Sequence, residues 1–176
     1  EDSVALCDEI FVASLSAPLN FVAPFALEHL RRSLRKTIPA GLDAPRRIFL
    51  TRQEMPTRKL ANYRDIAPIL DRHGFHAIPA DSLLVREMLQ MIQFSEIVVG
   101  MEGAAMANVF MAPAQARIAM VTADVVRAAR YSGPSCTLGQ EFTFLQGKPA
   151  FESNSRISEC DVHLDPGMFE EYLSKL

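Results

Sequence analysis

The chain has 176 residues, of which 49% are hydrophobic and 22% are charged, and its formal net charge is −3. This size and composition predict one globular domain with a core of its own, and no apolar run is long enough to span a bilayer. The three cysteines, Cys7, Cys136 and Cys160, form neither a CxxC pair nor an even set. This argues against a disulfide framework and favours reduced thiols.

Hydrophobic periodicity predicts strands that alternate with helices along the chain. Strands are predicted at residues 9–13, 47–51, 75–79, 97–100 and 117–121, with weaker candidates at 142–145 and 161–164. Helices are predicted at residues 21–36, 62–73, 82–93 and 166–176, with a further short helix that ends before Pro113. Such alternation predicts an α/β domain whose parallel sheet is covered by helices on both faces.

Two residues bear on the helix predicted at 62–73. Gly74 stands directly after this helix and is predicted to end it. Pro68 conflicts with a start at Asn62, because a proline inside a helix removes a backbone hydrogen bond. A start at Asp65 would put this proline in the first turn, where it is tolerated.

Charge is unevenly distributed along the chain. Residues 31–64 hold ten Lys or Arg against two acids, and the tail from residue 139 holds seven acids against three bases. The excess of positive charge in residues 31–64 favours an anionic ligand. Nucleic acid is a weaker interpretation, because no aromatic residues are interleaved and no recognition motif is present. A solvated helix face is the interpretation we prefer for four of these cations, Arg31, Arg32, Arg35 and Lys36.

The most informative segment is EIVVGMEGAAMAN at residues 96–108. Its β-branched run ends at Gly100, and a stretch of small residues opens at Gly103. That order predicts a buried strand, a tight turn and a helix start, where unpaired backbone N–H groups can hold an anion such as a phosphate. The G-x-x-G spacing falls short of the dinucleotide fingerprint.

Three stretches follow predicted strands and so belong to the edge of the sheet where ligands bind. They are the basic loop at residues 52–59, the turn at 100–104 and the stretch at 122–124, whose simplest interpretation is an N-cap before Val125. Arginine can grip two oxygens of a diphosphate at once. Loop cations and turn amides would therefore neutralise the same group, provided that the strand order brings them together.

Taken together, these stretches resemble the family 61 glycosyltransferases. The family shows a strand ending in an arginine, a basic loop and an Asn-initiated helix, which correspond here to RIFLTR at residues 47–52 and RKLAN at 58–62. The family's most specific element, vvGxHGAxxxNxxFxxP, is matched by VVGMEGAAMANVFMAP at residues 98–113. The resemblance spans roughly residues 45–147, including a weaker tail match at Gly139, Phe144 and Gly147.

The resemblance implies a transferase that moves a sugar from a nucleotide-sugar donor to a hydroxyl acceptor in polysaccharide or glycoconjugate synthesis. Its fold would be of the GT-B type, with two facing Rossmann-like halves, of which this chain is the donor-binding one. Residues 1–176 would then form a single Rossmann-like domain, a C-terminal piece of a longer two-domain protein. We expect a cytoplasmic location and leave membrane association of the full-length protein open. The alternative is a non-catalytic module that binds a nucleotide-sugar or phosphate.

By the same resemblance, fixed cations and amides would stabilise the departing diphosphate, so no metal or other cofactor is expected. These are Arg52, Arg58 or Lys59, and the backbone of Gly103 and Ala104. The matched motifs add three further candidates for substrate binding, Asn62, Gly100 and Asn108. By residue type alone, Asn108 is more often a local hydrogen-bonding residue than a ligand.

Glu102 departs from the family pattern, which usually has histidine at this position. A carboxylate repels a diphosphate, so its presence needs an explanation. As the one catalytic candidate, it could be a general base that takes a proton from the acceptor hydroxyl. We prefer two other interpretations, a charge that caps the N-terminus of the following helix or altered chemistry.

Overall fold

A computed structural model of the protein describes residues 23–38, 44–150 and 156–176. The strand predicted at 9–13 and the predicted start of the first helix lie outside these ranges. Within them, none of the helices combines the length and the apolar character needed to cross a membrane.

A five-stranded parallel sheet forms the centre of the domain. Its strands, in chain order, are β1 (Arg47–Thr51), β2 (His76–Pro79), β3 (Ile97–Met101), β4 (Arg117–Thr122) and β5 (Glu141–Gln146). All five residues of β3 are buried, as expected for a central strand covered on both faces. The predicted α/β fold with a parallel sheet is confirmed.

Helices cover both faces of this sheet. They are α1 (Pro24–Arg35), α2 (Tyr63–Arg72), α3 (Val85–Phe94), α4 (Val125–Ala128), α5 (Ser132–Thr137) and α6 (Pro166–Ser174), with a 3-10 helix at Ala104–Met111. Ile48 and Leu50 of β1 face the core formed with α1, α3 and the 3-10 helix, whereas Phe49 faces the core formed with α2 and α6. This alternation follows from the period of two in a strand.

The strand order is β2-β1-β3-β4-β5. The chain passes from β1 outward to β2 on one side, and from β3 outward to β4 on the other. The order therefore reverses between β1 and β3, and open α/β sheets bind ligands outside the carboxyl ends of the strands at such a point. Arg52 directly follows β1, and Glu102 and Gly103 directly follow β3.

The candidate strand at 161–164 forms, but it does not join the central sheet. It is β7 (Asp161–His163), which pairs antiparallel with β6 (Lys148–Ala150) in a separate two-stranded sheet. Only Gly147 separates β5 from β6, which is far too short for a parallel crossover. A side chain at Gly147 would clash with Val162 of β7, so this glycine allows the close approach.

The alternative start of α2 at Asp65 is wrong, because the helix begins at Tyr63 and keeps Pro68 inside it. Pro68 and Arg64 are both exposed, so water can replace the missing backbone bond. Gly74 ends the helix as predicted. It adopts a φ of 70°, and its N–H and that of Phe75 bond back to the last turn, as in a Schellman motif.

The prediction of a solvated face fails for one of the four cations of α1. Arg32, Arg35 and Lys36 are exposed, but Arg31 is buried and its Nη2 donates to the Ala112 carbonyl at 2.9 Å. Burial, and then the charge of Arg35, lower the pKa of Arg31. Arg31 therefore ties α1 to the end of the 3-10 helix, where carbonyl groups lack helical partners.

Gly100 lies within β3 rather than at its end, because the strand continues to Met101. A Cβ on Gly100 would lie 2.5 Å from Met106 Sδ and 3.0 Å from Leu50 Cβ. The missing side chain thus lets the 3-10 helix pack directly against the sheet.

Replacing Gly100 with alanine should lower the free energy of unfolding by about 1–3 kcal/mol, the usual cost of overpacking a core. Urea denaturation would measure this. Gly167→Ala is the matched control, since its Cβ would meet only Asp165 Oδ1, at 3.4 Å. Equal stability of the two variants would contradict this account of Gly100.

Candidate functional site

The structure brings the basic loop and the glycine turn together at the point where the strand order reverses. The Arg52 side chain lies against the backbone of Gly103, where a Cβ would clash with Nη1 and lie 3.1 Å from Cζ. Space for the guanidinium therefore depends on the absence of a side chain at residue 103. This juxtaposition follows from the adjacency of β1 and β3, which the sequence alone does not reveal.

Arg52 is a buried cation whose charge is poorly compensated. The whole residue is 8% exposed, and the side-chain Nε has no hydrogen-bond partner among the described residues. Burial lowers the pKa of Arg52 most and the charge of Arg58 lowers it further, whereas Asp81, Tyr131 and Glu102 oppose this shift. A buried charge is costly unless it is paired, so this position favours an anionic ligand.

Arg58 belongs to the same basic loop as Arg52, and the loop is constrained. It has a φ of 60°, which is unusual for a side chain of this size, and its Nε is buried without a hydrogen-bond partner in the described structure. The Gln53 side chain closes the loop, because its Oε1 accepts from Leu60 N–H at 3.0 Å and its Nε2 donates to the Leu60 carbonyl at 3.3 Å. Strained backbone of this kind persists only where neighbouring contacts enforce it.

Lys59 and Asn62 attach the end of this loop to the β7 region. The Lys59 N–H donates to Asp161 Oδ1 at 2.9 Å, and its carbonyl accepts from the Val162 N–H at 2.8 Å. Asn62 is buried, and its amide donates to the Leu164 carbonyl at 2.8 Å and accepts from the Leu164 N–H at 3.0 Å. The Asn62 side chain therefore has a structural role, which residue type and motif matching did not reveal.

Backbone donors lie at the start of the 3-10 helix. Its first hydrogen bond runs from the Met106 N–H to the Gly103 carbonyl at 3.0 Å. The N–H groups of Ala104 and Ala105 precede that bond and so have no partner within the helix. Asn108 lies further along, where its Nδ2 contacts Met88 Sδ of α3 at 3.5 Å.

Glu102 does not cap this helix, so the capping interpretation is wrong. It precedes the N-cap Gly103, and no side chain caps the helix. Its Oε2 instead accepts from Thr122 Oγ1 at the end of β4, at 2.6 Å. Its Oε1 lies 3.5 Å from Arg127 Nη1 and 3.9 Å from Arg130 Nη2. The adjacency of β3 and β4 aims the carboxylate along the edge of the sheet rather than at the helix.

Two arginines beside Glu102 were missed by sequence reasoning. The expected N-cap at Asp124 is confirmed, since its Oδ1 accepts from the Arg127 N–H at 3.0 Å and starts α4. This places Arg127 and Arg130 at the same edge of the sheet. The sequence did contain a signal for them, because the two arginines are three residues apart and follow a predicted strand and an expected N-cap.

No group of three or more His, Cys, Asp or Glu side chains within residues 23–38, 44–150 and 156–176 could hold a metal ion. The polar groups that follow β1, β3 and β4 at this edge of the sheet include several arginines and backbone amides. Such groups bind anions through charge-assisted hydrogen bonds.

The family model of Glycosyltransferase 61 matches residues 5–119, about two thirds of the chain. The chain belongs to this family. No curated protein matches it. Membership in the glycosyltransferase 61 family supports a glycosyltransferase role, with a donor and an acceptor as substrates. The matched range begins well before residue 45 and contains the basic loop and the glycine turn, but it ends before Gly139, Phe144 and Gly147.

Replacing Gly103 with alanine should displace the Arg52 guanidinium while costing less stability than Gly100→Ala. The added methyl meets the flexible end of an arginine, which can swing outward. Phenylglyoxal, which modifies accessible arginines, should therefore label Arg52 faster in Gly103→Ala than in the wild type, as followed by peptide mass spectrometry.

Gly167→Ala should leave the labelling of Arg52 unchanged. Equal labelling in Gly103→Ala and the wild type would mean that residue 103 does not control the position of Arg52.

Proposed function

We propose that this chain is the donor-binding domain of a glycosyltransferase that transfers a sugar from a nucleotide-sugar to a hydroxyl acceptor. The observation that carries the proposal is the buried Arg52, whose Nε lacks a partner among the described residues, lying against Gly103 where the strand order reverses. A diphosphate would supply the anion that this position favours.

In this proposal, fixed charges and dipoles stabilise the nucleoside diphosphate as it leaves the sugar. Arg52 and Arg58 would grip the phosphate oxygens, with Lys59 as a further cation of the same loop. The N–H groups of Gly103 and Ala104 would donate to the same group. Donors that are held in place before the reaction need little reorganisation as charge develops. The mechanism we propose therefore requires no cofactor.

We further propose that residues 1–176 form the donor half of a two-domain protein. A second domain would then provide most contacts to the acceptor. A general-base role for Glu102 stays a prediction, since it requires an acceptor hydroxyl within hydrogen-bond reach of the carboxylate.

The replacement of Arg52 with alanine should weaken nucleotide binding by about 1–3 kcal/mol, the scale of a hydrogen bond to a charged group. Calorimetric titration with UDP, GDP, CDP and ADP would measure the dissociation constants. Arg46→Ala is the matched control, because Arg46 precedes β1 at the opposite end of the strand and its side chain is 76% exposed.

Unchanged affinity in Arg52→Ala would remove Arg52 from the site. If the wild type binds a nucleoside diphosphate, incubation of the full-length protein with the matching nucleotide-sugars and an acceptor should release that diphosphate. Binding without any transfer or donor hydrolysis would favour the non-catalytic module instead.

A further inference from the structure

Glu102 is held in one orientation by its hydrogen bond to Thr122. The Thr122 hydroxyl oxygen accepts from the Asp124 N–H at 3.0 Å, so its own proton is left for Glu102 Oε2, 2.6 Å away. The Glu102 side chain is 6% exposed. A buried carboxylate that is fixed through one oxygen presents the other in a defined direction.

The second oxygen of Glu102 faces cations on the next element of the chain. Oε1 has no hydrogen-bond partner in the described structure, and it lies within ion-pair distance of both Arg127 and Arg130. The Arg130 guanidinium also packs over the ring of Tyr131, 5.0 Å from its centroid. Tyr131 and Glu102 in turn oppose the lowering of the Arg52 pKa, and Glu102 directly precedes Gly103, against which the Arg52 side chain lies.

We propose that Glu102 is a positioning residue, which orients Arg127 and Arg130 towards the diphosphate of the nucleotide-sugar. This inference rests on the proposed function and extends its anion site from β1 and β3 to the end of β4. The arginines would contact the ligand, and the carboxylate would act through them.

The balance of charge agrees with this role. Arg52, the charged groups that act on it and the ion-pair partners of Glu102 comprise four arginines (Arg52, Arg58, Arg127 and Arg130) and two carboxylates (Asp81 and Glu102), so positive charge is in excess among them. A diphosphate diester carries one negative charge on each phosphate, which matches that excess. Like charges repel each other, and Glu102 offsets the repulsion between Arg127 and Arg130, which both lie within ion-pair distance of its Oε1.

The direction in which Glu102→Gln changes the affinity for an anion tests whether Glu102 positions the arginines. Removal of a negative charge near an anion site should tighten anion binding if charge alone matters. If Glu102 orients the arginines, the same change should weaken binding of the nucleoside diphosphate that the wild type prefers. We expect the dissociation constant to rise about 5- to 20-fold, as for the loss of one charge-assisted contact.

The coupling between the residues is tested by a double-mutant cycle. Arg130→Gln should weaken binding to a similar extent as Glu102→Gln. The double variant should bind no more than about twofold more weakly than Glu102→Gln alone, because the loss of Glu102 already removes the orientation of Arg130. Equal or tighter binding by Glu102→Gln, or full additivity in the double variant, would overturn the proposal.

A second pair of variants applies if Glu102→Gln fails to fold, as judged by circular dichroism. Thr122→Val releases the carboxylate but keeps every charge, whereas Thr122→Ser keeps the hydroxyl. Weakened binding in the valine variant with rescue in the serine variant is expected, and wild-type affinity in Thr122→Val would overturn the proposal. Wild-type protein that binds none of the four nucleoside diphosphates would overturn the proposed function as well, which distinguishes the two failures.

Discussion

The burial of the Arg52 guanidinium against the Gly103 backbone is the interaction on which the candidate site depends. It requires two adjacent parallel strands, a cation directly after one of them and a residue without a side chain after the other. A guanidinium is tolerated in such a place only if other charges or a ligand compensate it. Asp81 and Glu102 oppose the effect of burial on the pKa of Arg52, and the remaining excess of positive charge favours an anionic ligand.

The rest of the fold keeps this arrangement rigid. Gly100 lets the 3-10 helix pack onto the sheet through Met106, which fixes the amides that follow Gly103. The side-chain amides of Gln53 and Asn62 each bond to both the N–H and the carbonyl of one residue, Leu60 and Leu164 respectively. These bonds close the basic loop and attach its end to the segment after β7. Side chains that are already ordered lose little entropy when a ligand binds, so in the proposed function these contacts would support recognition without touching the ligand.

Glu102 shows why a motif position cannot be interpreted alone. Beside a diphosphate, an isolated carboxylate is unfavourable, and capping offered a simple explanation of its presence. The carboxylate instead bonds to Thr122 on the next strand and faces two arginines of the following segment. The sign of its effect on a bound anion therefore depends on neighbours that are 20 to 28 residues away in the sequence.

Local patterns determined strands β1 to β5 and β7 and helices α1, α2, α3 and α6, although not α4, α5 or β6. They also determined the cap at Asp124, the end of α2 at Gly74 and the candidate residues of the loop and turn. These depend on neighbours within a few residues, so periodicity and residue type are sufficient to predict them. The tertiary structure alone decided the strand order, the separate pairing of β7, the burial of Arg31 and the partners of Asn62 and Glu102. Each of these depends on which distant segments become adjacent, and that outcome is set by the packing of the whole chain.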